Sequence, residues 1–165
     1  MMKPKSNAAA LALLFIFSGA VALDVSARSA PPADVLKLRL EMSREEVHRR
    51  LEQLGARLER EERGRQEVWT LLSEPRFGSV LVGYDAEYRV RYVTAIARQG
   101  GRRMRYSDVA SLKSAYAENT IASYRYTWQV KPSKKSEGYF VIVTGRDPQY
   151  LTSLSIKRRP TGEVD

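Results

Sequence analysis

The chain has no cysteine and only one histidine among its 165 residues. Without thiols there is no disulfide, no cysteine nucleophile, no thiolate metal site and no lipid-modified cysteine. With His48 as the sole imidazole, a histidine-based metal cluster is excluded, and a Ser/His/Asp triad would have to use that one residue. His48 follows Glu45 by three positions, the spacing of a surface pair on a helix, and is expected to be a surface residue and not a catalyst. A phosphate-cradling loop is also missing: Gln99-Gly100-Gly101-Arg102 lacks the spacing and the following Lys-Ser/Thr. No cofactor and no metal is expected.

Long apolar runs are scarce too. Lys3 and Lys5 precede an uncharged stretch from Ser6 to Leu23, whose most apolar part, Ala8 to Phe17, is too short to span a bilayer. The pattern is that of a cleaved secretory signal over 1–22, with small residues placed for a cut after Ala22 and comparable ones at Ala20 and Ala27; an uncleaved anchor is the alternative. Residues 23–36, with Pro31-Pro32, form a linker. The remaining domain is expected to be periplasmic or secreted and held by its own core, which about 140 residues can supply.

Acidic residues are outnumbered: 28 Lys and Arg face 19 Asp and Glu, a net charge of +9. A basic exported domain meets anionic surfaces, so the charge is compatible with an acidic protein, with anionic glycan or with lipid head groups, and selects none of them. Nucleic acid is compatible by charge alone, but export argues against it as the physiological partner.

Patterning organises what is present. Ser43-Arg-Glu-Glu46 is a capping box, and Val47, Leu51, Leu54 and Leu58 follow at intervals of four, three and four, predicting a helix that Gly55 ends or turns. Arg57 to Arg65 is a charged hairpin arm or a frayed helix continuation, which periodicity does not decide. The period then becomes two, predicting strands over 67–73, 79–84 and 89–98. Gln99 to Arg103 breaks the pattern, and Ser107 or Asp108 opens a second predicted helix with Val109, Leu112 and Tyr116 on one side. Strands over 123–130, 139–144 and 150–157 follow.

The Gly83-Tyr-Asp85-Ala-Glu87-Tyr88 stretch returns as Gly145-Arg-Asp147-Pro-Gln149-Tyr150, at a spacing of 62. The chain therefore reads as two αβββ repeats, 37–98 and 105–159, joined by a loop over 99–104 and followed by a tail over 160–165. The expected class is α+β, with helices packed on a curved antiparallel sheet. Asp85 and Asp147 invite an acid/base pair, but an aspartate two residues past a glycine is ordinary turn chemistry, in which the carboxylate caps nearby amides. No hydrolase site is evident.

The Glu41-Met-Ser-Arg-Glu-Glu-Val47 start, Leu54-Gly55 and the strand ending Val82-Gly-Tyr-Asp-Ala-Glu-Tyr-Arg-Val90 resemble the SmpA/OmlA type of small envelope protein. The tandem arrangement is similar to the β-lactamase inhibitory proteins. The resemblance covers residues 37–98 and extends to 105–159 only by pattern. Glu41 replaces the usual glycine, the proline after the helix-ending glycine is missing, and there is no lipobox cysteine. What the resemblance implies is protein binding through the sheet surface or its loops, without catalysis.

Alternation assigns the faces. If Tyr124, Tyr126 and Trp128 point to the helices, then Arg125, Thr127 and Gln129 point the other way, where Arg91, Ser153, Ser155 and Lys157 join them as a basic, hydroxyl-rich face. If the sides are reversed, Tyr92, Tyr124, Tyr126 and Trp128 form an aromatic binding surface instead. The expected function is non-catalytic recognition of another envelope protein, acidic at its contact; binding of an anionic envelope polymer is the alternative.

Overall fold

A computed structural model describes residues 30–133 and 137–159. The signal and the tail expected over 1–22 and 160–165 lie outside the described residues, as do 134–136 of the loop after Val130.

One eight-stranded antiparallel sheet makes up most of the domain, in the order β1-β2-β3-β4-β8-β7-β6-β5. The strands are β1 Ala56–Glu62, β2 Gln66–Leu71, β3 Phe77–Tyr84, β4 Val90–Ala97, β5 Tyr116–Asn119, β6 Tyr124–Val130, β7 Tyr139–Gly145 and β8 Ser153–Arg158. Among the described residues a single α-helix, α1 (Arg44–Gln53), precedes them.

The helix forms where the capping pattern placed it. Ser43 Oγ accepts from the Glu46 amide at 3.3 Å, Val47 and Leu51 are buried, and Gly55 (φ 66°) turns the chain directly into β1. Burial of the Leu51 side chain fixes the helix to the sheet, and truncating such a leucine to alanine costs about 2–5 kcal/mol.

The expected α+β class of two αβββ units does not hold. The second predicted helix is two short 3-10 turns, Tyr106–Asp108 and Leu112–Ser114, after which Tyr116 enters β5. Ser107, Asp108, Ser111 and Ser114 are poor helix-interior residues, because their side chains bond nearby backbone groups. Asp108 Oδ2 takes the Arg105 amide at 2.8 Å and the Ser114 hydroxyl bonds the Ser111 carbonyl at 3.0 Å. The charged arm is a hairpin of β1 and β2, so the first half carries one helix and four strands and the second carries four strands with no α-helix. β1 hides its period because it is an edge strand exposed on both sides, and its charges protect that edge from pairing.

Alternate residues of each strand point to opposite sides. Trp69, Val80, Ala95, Leu154, Val143 and Tyr126 run as one paired row on the covered side. Over them lie Val35, Leu38, Met42, Val47 and Leu51 from the start of the described chain and Tyr106, Val109 and Ala110 from the 3-10 region, closing the core. Val35, at the end of the expected linker, is therefore part of the core. β4 and β8 are central, antiparallel neighbours, and they set the halves about a pseudo-twofold axis beside the Thr94–Ser155 pair.

That axis relates residues 61 apart within the central strands, so Gly145 corresponds to Tyr84 and not to Gly83. The glycines point to opposite sides: a Cβ on Gly83 would meet the Tyr92 ring at 2.0 Å, while one on Gly145 would meet the Tyr106 hydroxyl at 2.2 Å beneath the covered side. A bulge at Arg91 shifts the register between Gly83 and Tyr84. The spacing of 62 belongs to the turns. Asp85 Oδ1 accepts from the amides of Glu87 and Arg89, and Asp147 Oδ1 from those of Gln149 and Tyr150.

Candidate functional site: the open face of the sheet

The uncovered side of the sheet is built on a row of paired residues running Val68, Leu81, Thr94, Ser155, Ile142 and Thr127. Among the described residues, the packed cluster of the core lies on the other side, and on this one Ile142 is buried at 8 % exposed. At the centre, Thr94 Oγ1 and Ser155 Oγ are 2.8 Å apart, and one step along, Thr144 Oγ1 and Ser153 Oγ are 2.7 Å apart. Each pair satisfies itself across neighbouring strands, which makes a part-buried strip of hydroxyls along the centre of this side.

Larger groups rim this strip. Lys157 Nζ stands 5.8 Å from the centre of the Phe140 ring, and Arg125 Nε approaches Glu118 at 3.4 Å. The Tyr92 hydroxyl donates to Gln66 Oε1, and the ring packs on Gly83. Burial raises the Tyr92 phenol pKa, the nearby Arg91 charge opposes the rise, and the phenol stays a neutral donor. Tyr116 is 69 % exposed and Ile96 40 %.

Arg125, Thr127, Gln129, Ser153, Ser155 and Lys157 share this side by strand parity. Arg91 is exposed at the bulge, beside a recess lined by Glu62, Arg63, Arg65, Gln66, Tyr84 and Tyr92. The aromatic set is not one surface. Tyr124, Tyr126 and Trp128 belong to the covered side, where Trp128 is 1 % exposed and its Nε1 donates to the Ser111 carbonyl at 2.9 Å, whereas Tyr92 lies on the opposite side. Asp85 and Asp147 do not face each other: Asp85 lies at the Arg158 end of β8, 3.4 Å from that guanidinium, and Asp147 at the Ser153 end, 2.7 Å from Arg103. Tyr88 and Tyr150 close the two turns beneath Arg44 and Arg103, at 5.8 and 3.7 Å from the ring centres.

His48 is not the plain surface residue its Glu45 spacing suggested. It belongs to a cluster centred on Glu67, which is completely buried. Arg44 Nε lies 2.6 Å and His48 Nε2 2.8 Å from Glu67 Oε1; Trp69 Nε1 lies 3.0 Å and the Tyr84 hydroxyl 2.9 Å from Oε2. Burial would raise the Glu67 pKa, but the bonds from His48, Trp69, Arg44 and Tyr84 outweigh it and hold the carboxyl below its ordinary value. The same burial and the facing carboxylate push the Tyr84 phenol strongly up. Four partners occupy both carboxylate oxygens, so the cluster bolts α1 to β2 and β3 and leaves Glu67 no free position for a substrate. The signal for it was an acid at an inward position of the Glu67, Trp69, Leu71 alternation.

Among the described residues, no three His, Cys, Asp or Glu side chains gather in a way that would hold a metal ion. Comparison with family models, with curated proteins and with solved structures finds no match to this chain.

Proposed function

We propose that the domain is a non-catalytic binding module that recognises another protein through the open face of its sheet. The observation that carries this reading is the face itself: a strip of self-paired hydroxyls, interleaved with Leu81, Ile142 and Val68 and rimmed by Lys157, Arg125, Gln129, Tyr116 and Ile96. Mixed polar and apolar composition with a charged rim is the anatomy of a non-obligate protein interface. The rim is basic, which favours a partner acidic at its contact and raises its rate of encounter. The resemblance of residues 37–98 to the SmpA/OmlA module and the leader pattern at the start of the sequence support an exported setting for this binding.

The reading is tested by placing bulk at the centre of the face. The double variant Thr94→Arg/Ser155→Arg keeps the fold, because both side chains point away from the core, and loses retention of a protein from an extract of the cells that make it. Arg49→Glu, on the exposed side of α1, retains it. Equal retention by both variants, or no specific retention by the native chain, contradicts the reading.

A further inference from the structure

At one end of the open face, the segment 96–103 and the turn 146–152 enclose a groove of about 920 Å³, lined among others by Arg98, Arg102, Arg103, Arg146, Asp147 and Tyr150. Four arginines meet one carboxylate there. Apolar surface lies beside them: Ile96 is 40 % exposed and belongs to both groove and open face, and Pro148 is exposed, whereas Leu151, also at the groove, is 4 % exposed and belongs to the core.

The arginines are held differently. Arg103 is pre-organised, stacked 3.7 Å from the centre of the Tyr150 ring with Nη2 at 2.7 Å from Asp147 Oδ2. Arg98 is spent on the fold, donating to the backbone carbonyls of Glu74, Leu71 and Phe77. The Glu74 carboxylate, whose backbone carbonyl Arg98 holds, is engaged with Arg76 at 2.8 Å. The Arg102 and Arg146 side chains are exposed and make no hydrogen bond or ion pair among the described residues, although the Arg102 backbone amide donates to the Pro75 carbonyl at 3.0 Å. Two free guanidinium forks beside apolar surface match carboxylates carried on a chain that also presents aliphatic side chains. The volume is that of several residues and far exceeds a single small anion.

We infer that this groove is the anchor for an acidic, aliphatic segment of the partner protein, whose carboxylates pair with Arg102 and Arg146 while its apolar side chains lie on Ile96 and Pro148. This deepens the proposed protein-binding function and rests on it, since Ile96 makes the groove continuous with the face.

The probe is a fluorescent octapeptide of alternating Glu and Leu, read by polarisation against the full chain. Arg102→Glu/Arg146→Glu weakens binding at least tenfold, Arg102→Ala/Arg146→Ala by an intermediate factor, and Arg49→Glu/Arg50→Glu, which changes net charge equally on α1, by less than twofold. The Gln-for-Glu peptide binds at least tenfold more weakly than the Glu peptide. An equal loss from the groove and helix variants overturns the inference in favour of a diffuse field. Absence of peptide binding also overturns it, as does binding of phosphatidylglycerol vesicles, but not of the peptide, that Arg102→Glu/Arg146→Glu abolishes. Thr94→Arg/Ser155→Arg separates the groove from the face: native-level peptide binding by this variant supports an autonomous groove even if the face itself fails as a docking surface, and loss of peptide binding in it overturns the groove as the anchor.

Discussion

Thr94 and Ser155 face each other at 2.8 Å across the central strands β4 and β8, one from each half of the chain. They mark both the pseudo-twofold axis of the sheet and the centre of its open face. Because neither touches the core, substitution here acts on the surface more than on the fold. Thr94→Ala and Ser155→Ala are each expected to change stability by less than about 1 kcal/mol, the range of one part-buried cross-strand pair, as measured by urea titration.

Glu67 is the opposite case. Glu67→Ala leaves Trp69 Nε1 and the Tyr84 hydroxyl buried without an acceptor and removes one of the two carboxylates that pair with Arg44, Glu61 remaining at 2.7 Å, an expected loss of about 3–5 kcal/mol by denaturant unfolding.

The same carboxylate sets an acid limit. Its folded pKa lies below its unfolded value, so its contribution is complete above the ordinary carboxylate range, about pH 4.3, and is lost as pH falls through the depressed folded pKa. Stability measured from pH 6 down to pH 3 is expected to decline more steeply in the native chain than in Glu67→Gln, which has no proton to bind there. Identical slopes would show that other carboxylates govern acid unfolding.

Gly83 and Tyr92 are coupled by contact. A Cβ on Gly83 meets the Tyr92 ring at 2.0 Å, so Gly83→Ala is expected to cost about 1–3 kcal/mol alone and much less in a Tyr92→Ala background, the difference appearing as a coupling energy in a double-mutant cycle. Gly145→Ala is expected to cost more, because the backbone carbonyl of Tyr150 at 2.5 Å cannot swing aside.

Much of the sheet was legible in the sequence because half-buried strands alternate. Leu154 and Ile156, set between Ser153, Ser155 and Lys157, state their period directly. What misled was local. Val109, Leu112 and Tyr116 have helical spacing, yet the Ser114 hydroxyl bonds the Ser111 carbonyl and the segment forms short turns, that carbonyl also accepting from Trp128. β1 could not be read because neither of its faces is buried. The matching glycines suggested one register for the repeat, while the bulge at Arg91 moved the strands to another. The polar face was readable by parity alone. The groove was not, since Arg98 to Arg103 and Arg146 to Thr152 meet only through the β4–β8 pairing.

In the proposed function the open face, and not the helix side, meets the partner. The most direct measurement places a photo-crosslinking amino acid at Thr127 on the open face and, in a separate chain, at Arg49 on α1, and illuminates both in intact cells. The expected result is a discrete protein adduct from position 127 that disappears in the Thr94→Arg/Ser155→Arg background, with none from position 49. An adduct from position 49 alone, or one from position 127 that persists in that background, would contradict it.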